Sequence, residues 1–183
     1  MVPIKEHGVP RMRLPIKVTV ISHPKEKKSK SSIIPAKIIA PEDVEIIHTV
    51  EDIPTLLEEG DSYDSTVLLF PAEDAKDVSA LSETELKAIK RVVLIDSTWS
   101  QTRHYIRHEQ MRKLKMVKIQ TEKTVFWRYQ TGELDTSLAT IEALYFFFRD
   151  YEVALNCKDR DYANYKGTFD NLLWMYAFNF QLI

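Results

Sequence analysis

Cysteine is almost missing from this chain, with Cys157 alone among 183 residues. One thiol makes neither an internal disulfide nor, by itself, a thiolate metal site, so a reducing, intracellular address is expected. Glycine is scarce as well, 4 against 8 prolines, and 44% hydrophobic with 28% charged residues is a globular composition, away from disordered or collagenous chains. Long apolar runs are also lacking. The richest, Leu144 to Phe148, is closed by Arg149 and Asp150 and reads as a buried helix face. It falls short of the roughly 18 residues a membrane span needs, and no N-terminal run resembles a signal peptide. One soluble domain over residues 1–183 is expected, with 1–15 as a lead-in.

Several chemical motifs are absent too. No G-x-G-x-x-G, G-x-x-x-x-G-K-[ST] or G-x-S-x-G occurs, so dinucleotide, P-loop and hydrolase-elbow readings have no local support. His104 and His108 have zinc-like spacing but no acidic third ligand in register, and no metal is expected.

Net charge is small, −2 from 25 Lys+Arg and 27 Asp+Glu, which by itself argues against a polyanionic partner. The segments say otherwise. Residues 1–41 hold nine cations and two anions, 42–85 one and fourteen, 86–128 eleven and three, and 129–183 four and eight. In the second basic block Arg103, Arg107, Arg112, Lys113, Lys115, Lys118, Lys123 and Arg128 are interleaved with His104, His108, Phe126 and Trp127. Cations among stacking rings suit a polynucleotide, and the alternative is a solvated basic face. Arg103 and Arg107, four apart, share one helical face.

The order of elements predicts an α/β fold. Short β-rich runs fall at 16–21, 44–48, 66–70, 92–95 and 115–119, and those at 66–70 and 92–95 carry no charge, as strands covered on both faces do. Ser82 to Glu85 reads as a capping box opening a helix toward Arg91, and Thr98 to Gln101 repeats the device ahead of a helix to about residue 112. Leu138, Ile141, Leu144, Tyr145 and Phe148 share a helical face, as do Phe169, Leu172, Leu173, Tyr176 and Phe180. Helices are expected on both sides of a mostly parallel sheet. The charged, aperiodic stretch from His23 to Ser32 is expected to be an exposed connection.

Ligands of open α/β sheets gather outside the carboxyl ends of strands, which singles out the turns at 71–74 and 96–99. Asp96 ends an uncharged strand at the mouth of a helix, where it is either a tuned carboxylate or a simple cap. Trp99 is a pocket wall or a core aromatic. Glu142 is either exposed or held in a pocket, Thr140 beside it caps or back-bonds, and His23 is a base, a phosphate contact or an exposed side chain.

Asp96-Ser97-Thr98-Trp99 resembles the signature of the DTW-domain family, whose name abbreviates Asp-x-Thr-Trp. The resemblance extends to His23-Pro24-x-Glu26, Leu69-Phe70-Pro71, Phe126-Trp127-Arg128, Leu138-Ala139-Thr140-Ile141-Glu142-Ala143 and the closing Phe169 to Leu173, from about residue 12 to the C-terminus. It implies a SPOUT-like, knotted α/β core that binds S-adenosylmethionine. It also implies a tRNA-uridine aminocarboxypropyltransferase, moving the 3-amino-3-carboxypropyl group to N3 of a tRNA uridine, in the D loop for the animal branch, and releasing methylthioadenosine. A non-catalytic RNA-binding relative and an S-adenosylmethionine-dependent RNA methyltransferase are the alternatives. On this resemblance Asp96 is the base or the group orienting the uridine. Leu69, Phe70, Pro71, Ser97, Thr98, Trp99, Leu138, Ala139, Thr140 and Glu142 hold the cofactor, and His23, Arg103, Arg107 and Arg128 meet tRNA. A nuclear address follows from the same resemblance. Two features depart from the family pattern: Ala139 stands where a serine is usual, and the usual cysteine-rich N-terminal segment is not in this sequence.

Overall fold

The computed structural model describes residues 8–24, 31–57, 62–120, 124 and 138–175, without the side chains of Thr55, Leu56, Trp99, Ser100 and Lys158. Its strands are β1 (Lys17–Ser22), β2 (Val44–Ile47), β3 (Thr66–Leu69), β4 (Lys76–Asp77), β5 (Arg91–Asp96) and β6 (Lys115–Lys118). They lie in the order β2-β1-β5-β3-β6-β4, and every neighbouring pair is parallel. All five expected strands are present, with ends shifted by a residue or two. β4 escapes a reading by alternation because it is two residues long, a short charged edge that discourages further pairing.

Period-two alternation divides the sheet's side chains between two cores. Val18, Val20, Val92 and Leu94 face one side, where α1 (Ile34–Ile39), α3 (Glu83–Ala88) and α6 (Thr140–Asn156) bury Ala36, Leu86, Leu144, Phe147 and Phe148. Ile21, Leu68 and Val93 face the other, against α2 (Ile53–Leu57), α4 (Trp99–Ile106) and α5 (Glu109–Arg112), through Ile53, Tyr105 and Met111. Helices thus cover both faces, as expected, and the uncharged β3 and β5 are central. Phe147 and Phe148, both fully buried, each contribute about 1.5–3 kcal/mol by burial.

Three helical expectations change. The helix after β5 is broken at Arg107–His108: His108 takes an extended backbone and its ring accepts the Gln110 N–H at 3.4 Å, starting α5 afresh. α3 begins with the expected reciprocal bonds between Ser82 and Glu85 but stops at Ala88, because Arg91 belongs to β5. Lys76, which donates to Glu85 at 2.9 Å, and then the Ser82 bonds hold that carboxyl down at about 2. The helix expected from Phe169 is a 3₁₀ turn, Asp170–Leu173, and residues 176–183 lie outside the described residues. Gly167 precedes that turn at φ +75°, where a Cβ would meet Asp170 Oδ2 at 2.9 Å.

The expected lead-in is tied down from Met12, whose N–H donates to Ile39 O at 3.0 Å. Leu14 N and Lys17 Nζ both donate to buried Asp43, at 2.9 and 3.0 Å. Burial alone would raise the Asp43 carboxyl, but these donors and the neighbouring Arg13 hold it below its ordinary value. Residues 121–123 and 125–137, between β6 and α6, lie outside the described residues.

Candidate active site at the carboxyl edge of the sheet

Because every strand is parallel, the ends of β1, β5, β3 and β6 share one edge, and the chain departs from β1 and β3 in opposite directions across the sheet. Asp96 ends β5 at that switch point, the usual ligand position of such sheets. Its side chain follows Val92 and Leu94 to the α6 side and is 7% exposed. Thr140 Oγ1 donates to Asp96 Oδ1 at 2.6 Å, and Ser31 Oγ donates to Oδ2 at 2.6 Å. Each oxygen therefore receives a short, charge-assisted bond from a different segment. The capping alternative fails on position, since Thr98 is the N-cap of α4 and Gln101 Oε1 accepts its N–H at 3.1 Å.

The start of α6 is built with similar care. Ala139 holds the N-cap position and has no hydroxyl. Glu142, fully buried, reaches back to accept Ala139 N–H at 2.8 Å, and Thr124 Oγ1 donates to the same Oε2 at 2.8 Å. The Ile141 N–H donates to Ser32 Oγ at 3.4 Å, so a residue distant in sequence occupies one of the first-turn donors. Between the two turns, Ser97 Oγ lies 3.0 Å from Thr102 Oγ1, which donates to Thr98 O.

Other candidates sit on the opposite side of the sheet edge. The His23 N–H donates to Asp96 O at 3.2 Å, while its ring packs edge-on to Tyr105 at 6.2 Å and lies 3.5 Å from Gln101 Nε2. Burial, then the charge of Glu51, pushes the Tyr105 hydroxyl up. Exposed Arg103 on α4 and exposed Arg107 at its end join this side, with His104 beside Tyr105. Leu69 ends β3 and Phe70 follows it, both half-buried, Leu69 toward the α6 side and Phe70 toward the other, and Pro71 is exposed. Half-buried Leu138 precedes the α6 cap. Arg128, Lys123, Phe126, Trp127 and the side chain of Trp99 lie outside the described residues. No group of three or more His, Cys, Asp or Glu that could hold a metal ion occurs among the described residues. Nor is any helix among them long and apolar enough to cross a membrane.

Sequence reasoning missed Ser31, Ser32 and Thr124. The serines sit at the end of a stretch expected to be wholly exposed, yet both are half-buried against the site. No local pattern marks them, because their partners are 65 and 109 residues away.

A parallel sheet covered on both faces, with a buried carboxylate and a helix start meeting at its switch point, defines an α/β domain of the ligand-binding kind. The chain belongs to the DTW domain family, whose profile matches residues 4–182. Similar curated proteins are tRNA-uridine aminocarboxypropyltransferase 1 of Rattus norvegicus, 36% identical over 94% of this chain and 66% of its own length, and of Mus musculus, 35% identical over 96% and 67%. The Homo sapiens protein of that name is 35% identical over 92% of this chain and 65% of its own. The chain spans about two thirds of the length of these relatives. Among solved structures, that of the SAM-dependent rRNA:acp-transferase Tsr3 from Vulcanisaeta distributa covers 95% of this chain and 82% of its own, at 13% identity and a TM-score of 0.46.

Proposed function

We propose that the chain is a tRNA-uridine aminocarboxypropyltransferase, as its curated relatives are named, using S-adenosylmethionine as donor and N3 of a D-loop uridine as acceptor. The observation that carries the reading is the Asp96 carboxylate of the Asp-x-Thr-Trp segment, gripped by Ser31 and Thr140 at the sheet's switch point. The donor is cationic at sulfur and bears an amino group. A buried carboxylate with hydroxyls and a helix start beside it therefore fits its polar end. When bound, the donor supplies an electrophilic Cγ next to a sulfonium. The transfer would form the uridine N3–Cγ bond and break the Cγ–S bond, its electron pair leaving on the sulfur of methylthioadenosine and the N3 proton passing to solvent water.

The chain's own residues contribute orientation. Thr98, Thr140 and the backbone of 69–71 and 138–140 line the cofactor side, and Glu142 holds the 138–140 segment in place from beneath. Asp96, with a hydroxyl on each oxygen, serves best as the group that orients the reacting pair. Aligning Cγ rather than the methyl with N3, at about 3–3.5 Å, is what selects the transferred group. His23, Arg103 and Arg107 form the RNA side, positioning phosphates and a flipped base.

Incubation with S-adenosylmethionine and unmodified tRNA, followed by mass spectrometry of nucleosides and small products, tests this. Aminocarboxypropyluridine with methylthioadenosine is expected. A methylated base with S-adenosylhomocysteine, or RNA binding with no product, refutes it in favour of a methyltransferase or a non-catalytic relative. Asp96→Ala is expected to abolish turnover.

A further inference from the structure

We propose that Ser31 and Ser32 are positioning residues of the cofactor pocket, a two-point staple that fixes Asp96 and the start of α6 in one frame. The inference rests on the cofactor reading above for its functional consequence, but its geometry does not depend on it. Adjacent residues of one segment reach two different elements: Ser31 Oγ donates to Asp96 Oδ2 at 2.6 Å, and Ser32 Oγ accepts the Ile141 N–H at 3.4 Å. Thr140, which precedes Ile141, closes the circuit on Asp96 Oδ1 at 2.6 Å. The end of β5, the start of α6 and the 31–32 segment thus form a triangle with a hydrogen bond along every side. Ile33, next in the chain, is fully buried and anchors the staple in the core that α6 covers.

The second serine also explains how α6 starts without a capping hydroxyl. Helices favour Ser, Thr, Asp or Asn at the N-cap because a side-chain oxygen there accepts a first-turn N–H. Ala139 cannot, and Ser32 supplies the acceptor from outside the helix. The cap of α6 has been moved onto the loop that also orients the site carboxylate. Docking of that loop and ordering of the 138–140 backbone become one event, so cofactor affinity depends on two side chains that need not touch the cofactor.

The test compares the full chain with Ser31→Ala, Ser31→Thr, Ser32→Ala, Ala139→Ser and the Ser32→Ala/Ala139→Ser double variant. S-adenosylmethionine Kd is read by calorimetry, melting temperature by circular dichroism, and KM for tRNA by turnover. Ser31→Ala is expected to weaken S-adenosylmethionine binding about tenfold or more, the scale of one lost charge-assisted bond, with KM for tRNA unchanged. Ser31→Thr, which keeps the hydroxyl, restores binding. Ser32→Ala lowers both affinity and melting temperature, and Ala139→Ser added to it restores both by returning the hydroxyl to the helix itself. Parental affinity in Ser31→Ala, or no rescue by Ala139→Ser, overturns the inference. A parent chain that binds no S-adenosylmethionine refutes the proposed function instead, and the melting temperatures of the Ser32 and Ala139 variants then decide the staple alone.

Discussion

Replacing Glu142 tests how the site is held together, because this carboxylate is fully buried and has an identified task at the start of α6. Its Oε2 accepts from Ala139 N and Thr124 Oγ1, both at 2.8 Å. In Glu142→Ala the buried Ala139 N–H loses a charged acceptor, a change of about 1.5–3 kcal/mol, and the half-buried Thr124 hydroxyl, which water can reach, adds about 1 kcal/mol. Removing a carboxylate from a buried position returns part of this, since its burial was itself unfavourable. The net expectation is a destabilisation of about 3 kcal/mol. For a domain of this size, at about 2–4 °C per kcal/mol, the melting temperature should fall by about 6–12 °C. Glu142→Gln keeps one acceptor oxygen, which can stand where Oε2 stood and accept from both donors without the charge that strengthens those bonds, so about half that loss is expected. Thermal melts followed by circular dichroism measure both, and calorimetry with S-adenosylmethionine should show a weaker cofactor affinity in each. If both variants melt within about 2 °C of the parent, the carboxylate does not hold the 138–140 segment and the account of the site's scaffold is wrong.

Phe148→Ala removes a fully buried ring from the α6 core and should cost about 3–5 kcal/mol, read from urea unfolding. The paired variant Arg103→Ala/Arg107→Ala should weaken tRNA binding and reduce the slope of log K against log salt by about 1.4–1.8, leaving S-adenosylmethionine affinity alone; an unchanged slope would place RNA elsewhere. Tyr145 gives a signed prediction at high pH: burial first, then the charge of Asp170 and the bond its hydroxyl donates to that carboxylate at 3.1 Å, pushes it up to about 12. The folded chain therefore keeps a proton that the unfolded chain loses near pH 10. Stability from this group is complete below pH 10 and falls between pH 10 and 12, by up to about 2 kcal/mol after allowance for partial exposure. Tyr145→Phe should flatten that decline in denaturant titrations, and an identical pH dependence in parent and variant would remove Tyr145 as its source.

The fold was legible where one physical signal acts alone. Val67 to Leu69 and Val92 to Ile95 are uncharged because both faces of their strands are covered, and that shows in the letters. Ser82 and Glu85 bond to groups within a turn of themselves and to Lys76, and the box they form shows in the letters. The break between α4 and α5 does not, because no glycine or proline marks the turn at Arg107–His108. Only the extended backbone of His108, whose ring caps the next turn, reveals a new start. The 3₁₀ turn at Asp170–Leu173 escaped for a related reason: a helical spacing of apolar residues also suits a segment that packs Phe169 and Leu172 into a core without completing an α-helix.

The site divides differently, between residues whose type points to chemistry and residues whose place makes the chemistry possible. Asp96, Thr140 and Glu142 stand out in the sequence because a carboxylate at a strand end and a polar pair on an apolar helix are unusual. Their separate alternatives could not be decided locally, since a cap, an exposed acid and a ligand group look alike in one dimension. What the fold adds is that Asp96 does not cap α4, that it meets Thr140, 44 residues away, at 2.6 Å, and that Ser31 arrives from 65 residues away on the other oxygen. A motif centred on Asp96 therefore records one corner of a triangle whose other corners lie on different elements. The absence of a hydroxyl at Ala139 follows the same logic. In the sequence it is a departure from the family pattern that removes a hydroxyl, while in the fold Ser32 occupies the Ile141 donor from another segment. A substitution that looks like decay within a motif can thus be neutral when the parallel sheet brings a second chain segment to the same helix turn.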